Sequence, residues 1–381
     1  MPTSDPRLAD LDTPCLLLDE RRMTRNIDRL ERHAAALGVP LRPHLKTGKS
    51  VDVAHRLLAG GDGPATVSTL AEAEAFAAAG VRDILYAVGI APRKLERVVA
   101  LRAGGCDLSV LLDTRAQAEA VVAASARAGH PVPALIEIDC DGHRGGLRHD
   151  DPEILAIGRL LHEGAELRGV MTHAGESYTV SGEEAHAAFA ELERSATVAA
   201  AETLRAAGLP CPVVSVGSTP TAHAARDLAG VTELRSGVHV FFDLVMAGIG
   251  VCEPEDIALS VLATVIGHQE ARGWILVDAG WMALSRDRGT AAQAVDQGYG
   301  LVCDAEGTIL TDLIVTSANQ EHGIIARRPG STAPLPALPV GTHLRILPNH
   351  ACATAAQHGA YHVVPETPGA PLLEWPRFGG W

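Results

Sequence analysis

The chain has 381 residues, 47% hydrophobic and 20% charged, with a formal net charge of −14. That length holds two domains, or one barrel with an addition, and the negative balance argues against nucleic acid or an anionic membrane as partner, since either would repel it at long range. No apolar run approaches a membrane span, the first residues lack a signal peptide's basic flank and apolar stretch, and seven scattered cysteines fit reduced thiols, so the expectation is a soluble cytoplasmic protein.

An early apolar run, Cys15 to Asp19, reads as a strand that could belong to either domain, and residues 23–37 read as a helix. Short apolar runs then recur at 41–44, 65–68, 84–87, 108–112, 134–139, 167–173, 212–216 and 231–235. Most are rich in Val, Ile or Leu, as strands buried on both faces should be. Stretches of helical period lie between most of them, as at 70–79, 93–103, 114–128 and 182–207, and Gly80, Gly104 and Gly208 suit left-handed helix stops. Alternating strand–helix units on this count predict an α/β fold, a (β/α)8 TIM-type barrel over 20–250, in preference to an open doubly wound sheet. After Val251 the pattern changes: strands are expected at 258–267, 274–278, 308–315 and 343–347, and residues 329–339 form a proline-dotted loop. This predicts a mainly β C-terminal domain over 251–381, which residues 1–19 could join.

A (β/α)8 barrel gathers its chemistry at the C-terminal ends of its strands. Polar residues fall there in succession: Lys46, Ser68 and Thr69, Tyr86, Arg144, His173, Gly217-Ser218-Thr219 and Arg235-Ser236-Gly237. A lone lysine is usually a solvated charge, but one at a barrel mouth can form a Schiff base; the neighbouring Lys49 is expected to start the next helix and point away. Gly217-Ser218-Thr219-Pro220-Thr221 reads either as a phosphate cradle or as a plain helix cap. Arg144 sits among glycines, with room beside its guanidinium for a flat ligand. Far downstream, His350 and Cys352 would share a face of an extended segment. Imidazole with thiolate favours zinc, with manganese or cobalt as alternatives, and two protein ligands leave positions open for substrate. Lysine, phosphate turn and metal pair together point to an aldehyde cofactor and a metal. The remaining histidines, among them His33, His162 and His186, fit surface or satisfied positions, and the signatures of hydrolases and nucleotide binders are absent from the sequence.

Thr13-Pro14, Arg42-Pro43-His44-Leu45-Lys46-Thr47, Thr172-His173-Ala174-Gly175, Val216-Gly217-Ser218-Thr219-Pro220-Thr221 and Pro348-Asn349-His350-Ala351-Cys352 carry a resemblance over nearly the whole chain. It is to the D-serine dehydratase and D-threonine aldolase family, pyridoxal-phosphate enzymes of the alanine-racemase-like fold type, and it is nearest to the branch acting on D-threo-3-hydroxyaspartate. The resemblance implies a homodimer with the site near the subunit interface and a D-amino acid as substrate. It implies that Lys46 carries pyridoxal 5'-phosphate and that Gly217, Ser218 and Thr219 help hold its phosphate. Arg144 would face the pyridine nitrogen, with His173 and Tyr178 among the cofactor's neighbours, and His350 and Cys352 would bind the divalent metal. Aldolases of the family tend to have an aspartate where Cys352 stands, which leans towards a dehydratase producing oxaloacetate and ammonia. D-serine dehydratase, D-threonine aldolase and a non-catalytic cofactor carrier are the alternatives. A substrate β-carboxylate would call for a further cation, for which Arg286, Arg288 and His322 are the candidates.

Overall fold

The computed structural model describes residues 6–381; residues 1–5, where the signal-peptide reading falls, lie outside it. The described residues divide into two compact units, one of Ile27–His239 with Phe378–Trp381 and one of residues 6–26 with Val240–Arg377.

The first unit is a parallel barrel. Its strands are Leu41–Pro43, Ala65–Val67, Asp83–Gly89, Asp107–Leu112, Pro133–Asp139, Glu166–Thr172, Val213–Val216 and Glu233–Ser236. From the second to the eighth, each pairs with the next in chain order, and the eighth returns to the first through Leu234 opposite Leu41. A parallel bridge between His44 and Thr66 closes the ring. Some of the helices that follow a strand are started by side-chain caps. Thr114 and Gln117 form a reciprocal capping box ahead of Arg115–Ala128, and Thr69 caps Leu70–Ala78 by accepting from the N–H of Glu72. Gly80 and Gly208 take positive φ as expected, but Gly104 has φ −79° and the left-handed turn is made one residue later by Gly105.

Strand alternation sorts the side chains. Leu85, Ala87, Leu111, Leu135, Met171 and Val213 form one apolar cluster with a contribution from each of five successive strands, and this is the barrel interior. Val216 and Leu234 point the other way and pack on Leu30, Ala34, Ala190 and Ala222 of the surrounding helices. Residues two positions beyond the interior set face the same side, so Asp113, Glu137 and His173 continue it towards the C-terminal rim. The interior is therefore apolar where these five strands line it and polar at its mouth, while Arg42, Ser215 and Glu233 make a polar cluster on the first, seventh and eighth strands. Tyr86 lies between Leu85 and Ala87 and so faces outward; its hydroxyl accepts from Lys94 Nζ at 3.2 Å, which removes it from the mouth where the strand count placed it. Lys49 does not start the helix Val51–Leu57: it has φ 44° ahead of the cap residue Ser50 and turns inward to pair with the buried Glu72 at 3.1 Å.

The second unit is a nine-stranded sheet. Its order runs Trp274–Val277, Gly323–Arg327, Ile309–Ala318, Leu301–Cys303, His343–Leu347, Leu259–Gln269, Cys15–Asp19, Ala360–Val364 and Leu373–Pro376. The first of these also pairs with Leu259–Gln269, so six antiparallel strands close into a ring. Cys15–Asp19 pairs antiparallel with Leu259–Gln269 and parallel with Ala360–Val364, which assigns the early strand to this unit. No helix among the described residues is long and apolar enough to cross a membrane.

Within the barrel, Arg42 is buried against Glu233 at 2.7 Å and Asp83 at 2.8 Å, and Glu233 also accepts from Ser215 Oγ at 2.6 Å. Removing the guanidinium strands a buried carboxylate, a loss of about 3 kcal/mol or more. Arg42→Ala is expected to lower the urea midpoint by the corresponding amount, while Glu233→Gln in the same background restores part of it.

Candidate active site

At the barrel mouth, Lys46 lies in the turn that follows the first strand; it is exposed and has no ion-pair partner among the described residues. The first strand's His44 points into the mouth and its Nε2 shares a hydrogen bond with Ser68 Oγ at 3.2 Å. Burial, then the charges of Lys46 and Arg235 and the neighbouring His173, hold His44 well below the usual histidine range. His173, at the end of the sixth strand, is pushed down to about 3 by burial and by the charges of Arg144 and Lys46. Both imidazoles are neutral at physiological pH. His173 Nδ1 lies 3.2 Å from the carbonyl of Gly217, so Nδ1 is the donor and Nε2 is left as an acceptor facing the mouth.

The turn after the seventh strand is fixed from several sides. Gly217 has φ +135°, and a Cβ there would fall 2.0 Å from the carbonyl oxygen of Arg235, so no other residue fits. The Ser218 hydroxyl caps the helix Thr219–Ala224 and shares a hydrogen bond with Ser177 Oγ at 2.9 Å. Thr219 Oγ1 meets Ser236 Oγ at 2.9 Å, and the Thr219 N–H reaches the Tyr178 hydroxyl at 3.4 Å. The rings of Tyr178 and His173 lie 6.1 Å apart. The turn is thus a helix cap: Ser218 is occupied by the cap, and the hydroxyls of Thr219, Ser236 and Tyr178 gather beside it.

Two arginines serve the mouth. Arg144 is about half exposed and lies 3.6 Å from Glu137, whose carboxyl is pushed up by burial and by Asp113 against the pull of Arg144 and Arg235. Arg235 is fully enclosed; burial lowers it to about 10, against the pull of Glu193, Glu233 and Glu137. Its guanidinium donates to the carbonyls of Thr172 and Gly217, and its Nε is buried with no hydrogen-bond partner. Burial without a partner costs free energy unless a ligand supplies the acceptor. The sequence marks Arg235 only as a rim residue, and nothing in it marks Glu137 or Glu193 as buried acids. The period-2 step from Glu233 to Arg235 is the signal that places it inside.

In the second unit, His350 and Cys352 come together by a different route from the alternation expected of them. Pro348 ends the strand His343–Leu347; His350 is the cap residue of the short helix Ala351–Ala355, which puts Cys352 in its first turn. The two side chains hydrogen-bond each other. His350 Nδ1 lies 2.9 Å from Asp287 Oδ2, so Asp287 holds the ring with Nε2 directed away from it. Burial alone would lower the His350 value, but Asp287, Cys352 and Asp243 outweigh it and raise it to about 11. Around this pair, Asn349 is buried; it accepts from Thr290 Oγ1 at 2.7 Å and donates to the Gly298 carbonyl at 2.7 Å and the Asp287 carbonyl at 3.2 Å. The N–H of Ala351 donates to the buried Asp243 at 2.9 Å. Among the described residues no group of three or more His, Cys, Asp or Glu is arranged for a metal.

Of the three cations expected to meet a substrate carboxylate, Arg288 is already met by Asp296 at 2.7 Å and lies over the Tyr299 ring. Arg286 is exposed, sits 4.4 Å over the Trp281 ring and has no acidic partner among the described residues. His322 is exposed in a turn whose Asn319 and Gln320 carbonyls accept from Trp281 and Met282. Arg286 and Arg288 flank Asp287, which touches His350; no contact joins the His322 side chain to them.

Comparison with known proteins agrees with this geometry. A family model for the alanine racemase N-terminal domain matches residues 18–245, and one for a serine dehydratase domain matches residues 258–364. The chain is 57% identical to the D-threo-3-hydroxyaspartate dehydratase of Delftia sp. (strain HT23), covering 98% of this chain and 99% of that one. The solved structure of that enzyme matches with a TM-score of 0.95. An alanine racemase-like protein from Idiomarina loihiensis is 49% identical, with both chains covered in full and a TM-score of 0.95. The D-serine dehydratase of Dictyostelium discoideum is 30% identical over 93% of this chain and 94% of that one. The chain belongs to the family that joins an alanine racemase-like barrel to a serine dehydratase domain.

Proposed function

We propose that the chain is a pyridoxal-phosphate- and divalent-metal-dependent dehydratase of D-3-hydroxy amino acids, with D-threo-3-hydroxyaspartate as preferred substrate and oxaloacetate and ammonia as products. The observation that carries this reading is the end-to-end likeness, at 57% identity, to an enzyme of that name. Solved relatives of that enzyme include a cysteine-to-alanine variant in the metal-free form and a histidine-to-alanine variant, the two substituted positions being two residues apart, as His350 and Cys352 are.

The residues fit both groups. A turn that admits only glycine at Gly217, hydroxyls at Thr219, Ser236 and Tyr178, and a buried Arg235 Nε with no partner suit an anionic, planar cofactor. An imidazole steered by Asp287 and a thiol within its hydrogen-bond reach suit zinc, with manganese or cobalt as alternatives. When bound, pyridoxal phosphate supplies an electron sink for charge at Cα, and the cation supplies a Lewis acid for departing hydroxide.

The chain's own part divides among named residues. Lys46 would attach the cofactor, and its amine would serve as the base for the Cα proton. Arg144 would face the pyridine nitrogen; a guanidinium keeps its own proton and has none to give it. Neutral His173 offers Nε2 as an acceptor, and its Nδ1 holds the Gly217 carbonyl. His350 and Cys352 would hold the cation that serves the β-hydroxyl. Loss of the Cα proton and the β-hydroxyl removes one water; hydrolysis of the resulting enamine returns it and releases ammonia. For the β-carboxylate, Arg286 is the candidate with its charge unmet, and Arg288 is weakened by its pair with Asp296. The seven free cysteines suit a reducing cytoplasm, and we read the working form as a homodimer, as the family resemblance implies.

Incubation with D-threo-3-hydroxyaspartate, D-serine and D-threonine, followed by assay of ammonia, oxo acid and glycine, is expected to give ammonia and oxaloacetate fastest from the first. Glycine as the main product would replace the dehydratase with an aldolase. Chelation, or Cys352→Ala, is expected to reduce turnover by at least about a hundredfold, the scale of lost leaving-group assistance, with zinc, manganese and cobalt tested for recovery. Full activity of Cys352→Ala in metal-free buffer would remove the cation from the reaction.

A further inference from the structure

The helix Glu183–Ala206 carries Glu193 in its middle, only 1% exposed. Burying a carboxylate there costs free energy that an apolar side chain would not, so its partners matter. Oε1 accepts from two backbone N–H groups, Ala174 at 3.0 Å and Gly217 at 3.0 Å. Oε2 accepts from Thr221 Oγ1 at 2.7 Å, and that hydroxyl in turn accepts from the N–H of Ser218 at 2.9 Å. One carboxylate thereby ties the residue after His173 to the turn after the seventh strand. It also decides where that turn's N–H groups go. Those of Gly217 and Ser218 are drawn to the helix side, directly or through Thr221. Among the described residues the N–H of Thr219 is held by the Tyr178 hydroxyl at 3.4 Å, the longest contact of the three.

We propose that Glu193 is the positioning residue of the cofactor's phosphate turn: it fixes Gly217 and Ser218 from behind and leaves the Thr219 N–H and hydroxyl for the phosphate. The inference rests on the pyridoxal-phosphate reading above and specifies which buried group builds the cradle. Reach, more than charge, is what the geometry requires. A glutamine can keep both N–H bonds at its oxygen and donate its amide to Thr221. An aspartate keeps the charge that offsets Arg235, but its carboxylate is withdrawn by one methylene and cannot serve both N–H groups.

The test compares parent, Glu193→Asp and Glu193→Gln proteins after cofactor depletion, titrated with pyridoxal phosphate and separately with pyridoxal, which lacks the phosphate. Glu193→Asp is expected to bind pyridoxal phosphate about tenfold more weakly, the scale of one lost buried hydrogen bond, with pyridoxal binding within about twofold of the parent. Glu193→Gln should stay within about threefold for both ligands. Hydrogen exchange of the peptides containing Ala174 and Gly217 should quicken in Glu193→Asp and not in Glu193→Gln, a readout that needs no activity. Parent-like pyridoxal phosphate binding by Glu193→Asp would overturn the proposal. So would equal weakening of both ligands, or a larger loss in Glu193→Gln than in Glu193→Asp. Failure of the cofactor reading itself appears earlier, in the parent: borohydride reduction with pyridoxal phosphate would then leave Lys46 without the expected mass increase.

Discussion

Everything at the barrel mouth depends on all eight strands running the same way. A parallel ring brings every strand's C-terminal end to one rim. Inward-facing residues at those ends then converge, although they lie far apart in sequence. His44, Glu137, His173, Gly217 and Arg235 reach the mouth in this way, from strands separated by nearly two hundred residues. The helices have a different task. Their apolar faces cover the barrel, and two buried carboxylates interrupt those faces: Glu72, which pairs with Lys49, and Glu193, which is bonded to the rim's backbone.

The charge at the mouth is arranged unequally. Lys46, Arg144 and Arg235 are cationic, and the two imidazoles among them are held neutral by burial and by those charges. The histidines therefore add no further positive charge around an anionic ligand, and they offer acceptor nitrogens as well as donors. Arg235 is the extreme case: it is enclosed on every side, with two carbonyls to receive its donors and one nitrogen left unmatched. A buried cation of that kind is tolerable where neighbouring acids share its field and an anion completes its partners.

The fold was largely legible because long strand–helix alternation is a strong, repeated signal. The second unit was less so. Leu301–Cys303 is three residues long, and Gly323–Arg327 and Leu373–Pro376 begin or end on glycine or proline, so neither length nor alternation marked them. Lys46, His173, Arg144 and the Gly217 turn could be read because each follows a recognisable strand. Glu193 could not, since one acid in an alanine-rich helix looks solvated until the fold shows which face it occupies. Asp287 was hidden between two arginines that drew attention as cations. Tyr86 misled by one step of alternation, because a strand's last residues point to opposite sides. Lys49 misled because a positive φ ahead of a helix leaves no trace in the pattern of apolar residues.

The anchoring of Asn349 has a consequence for the segment that carries His350 and Cys352. Its side chain is bonded at both ends to buried partners, and Pro348 and Asn349 also accept backbone N–H groups from Leu244 and Val245. In small zinc domains the metal's binding energy is what orders the chain. Here protein contacts alone account for the path of the segment, so the imidazole and the thiol are presented by a loop whose shape is set by its own hydrogen bonds.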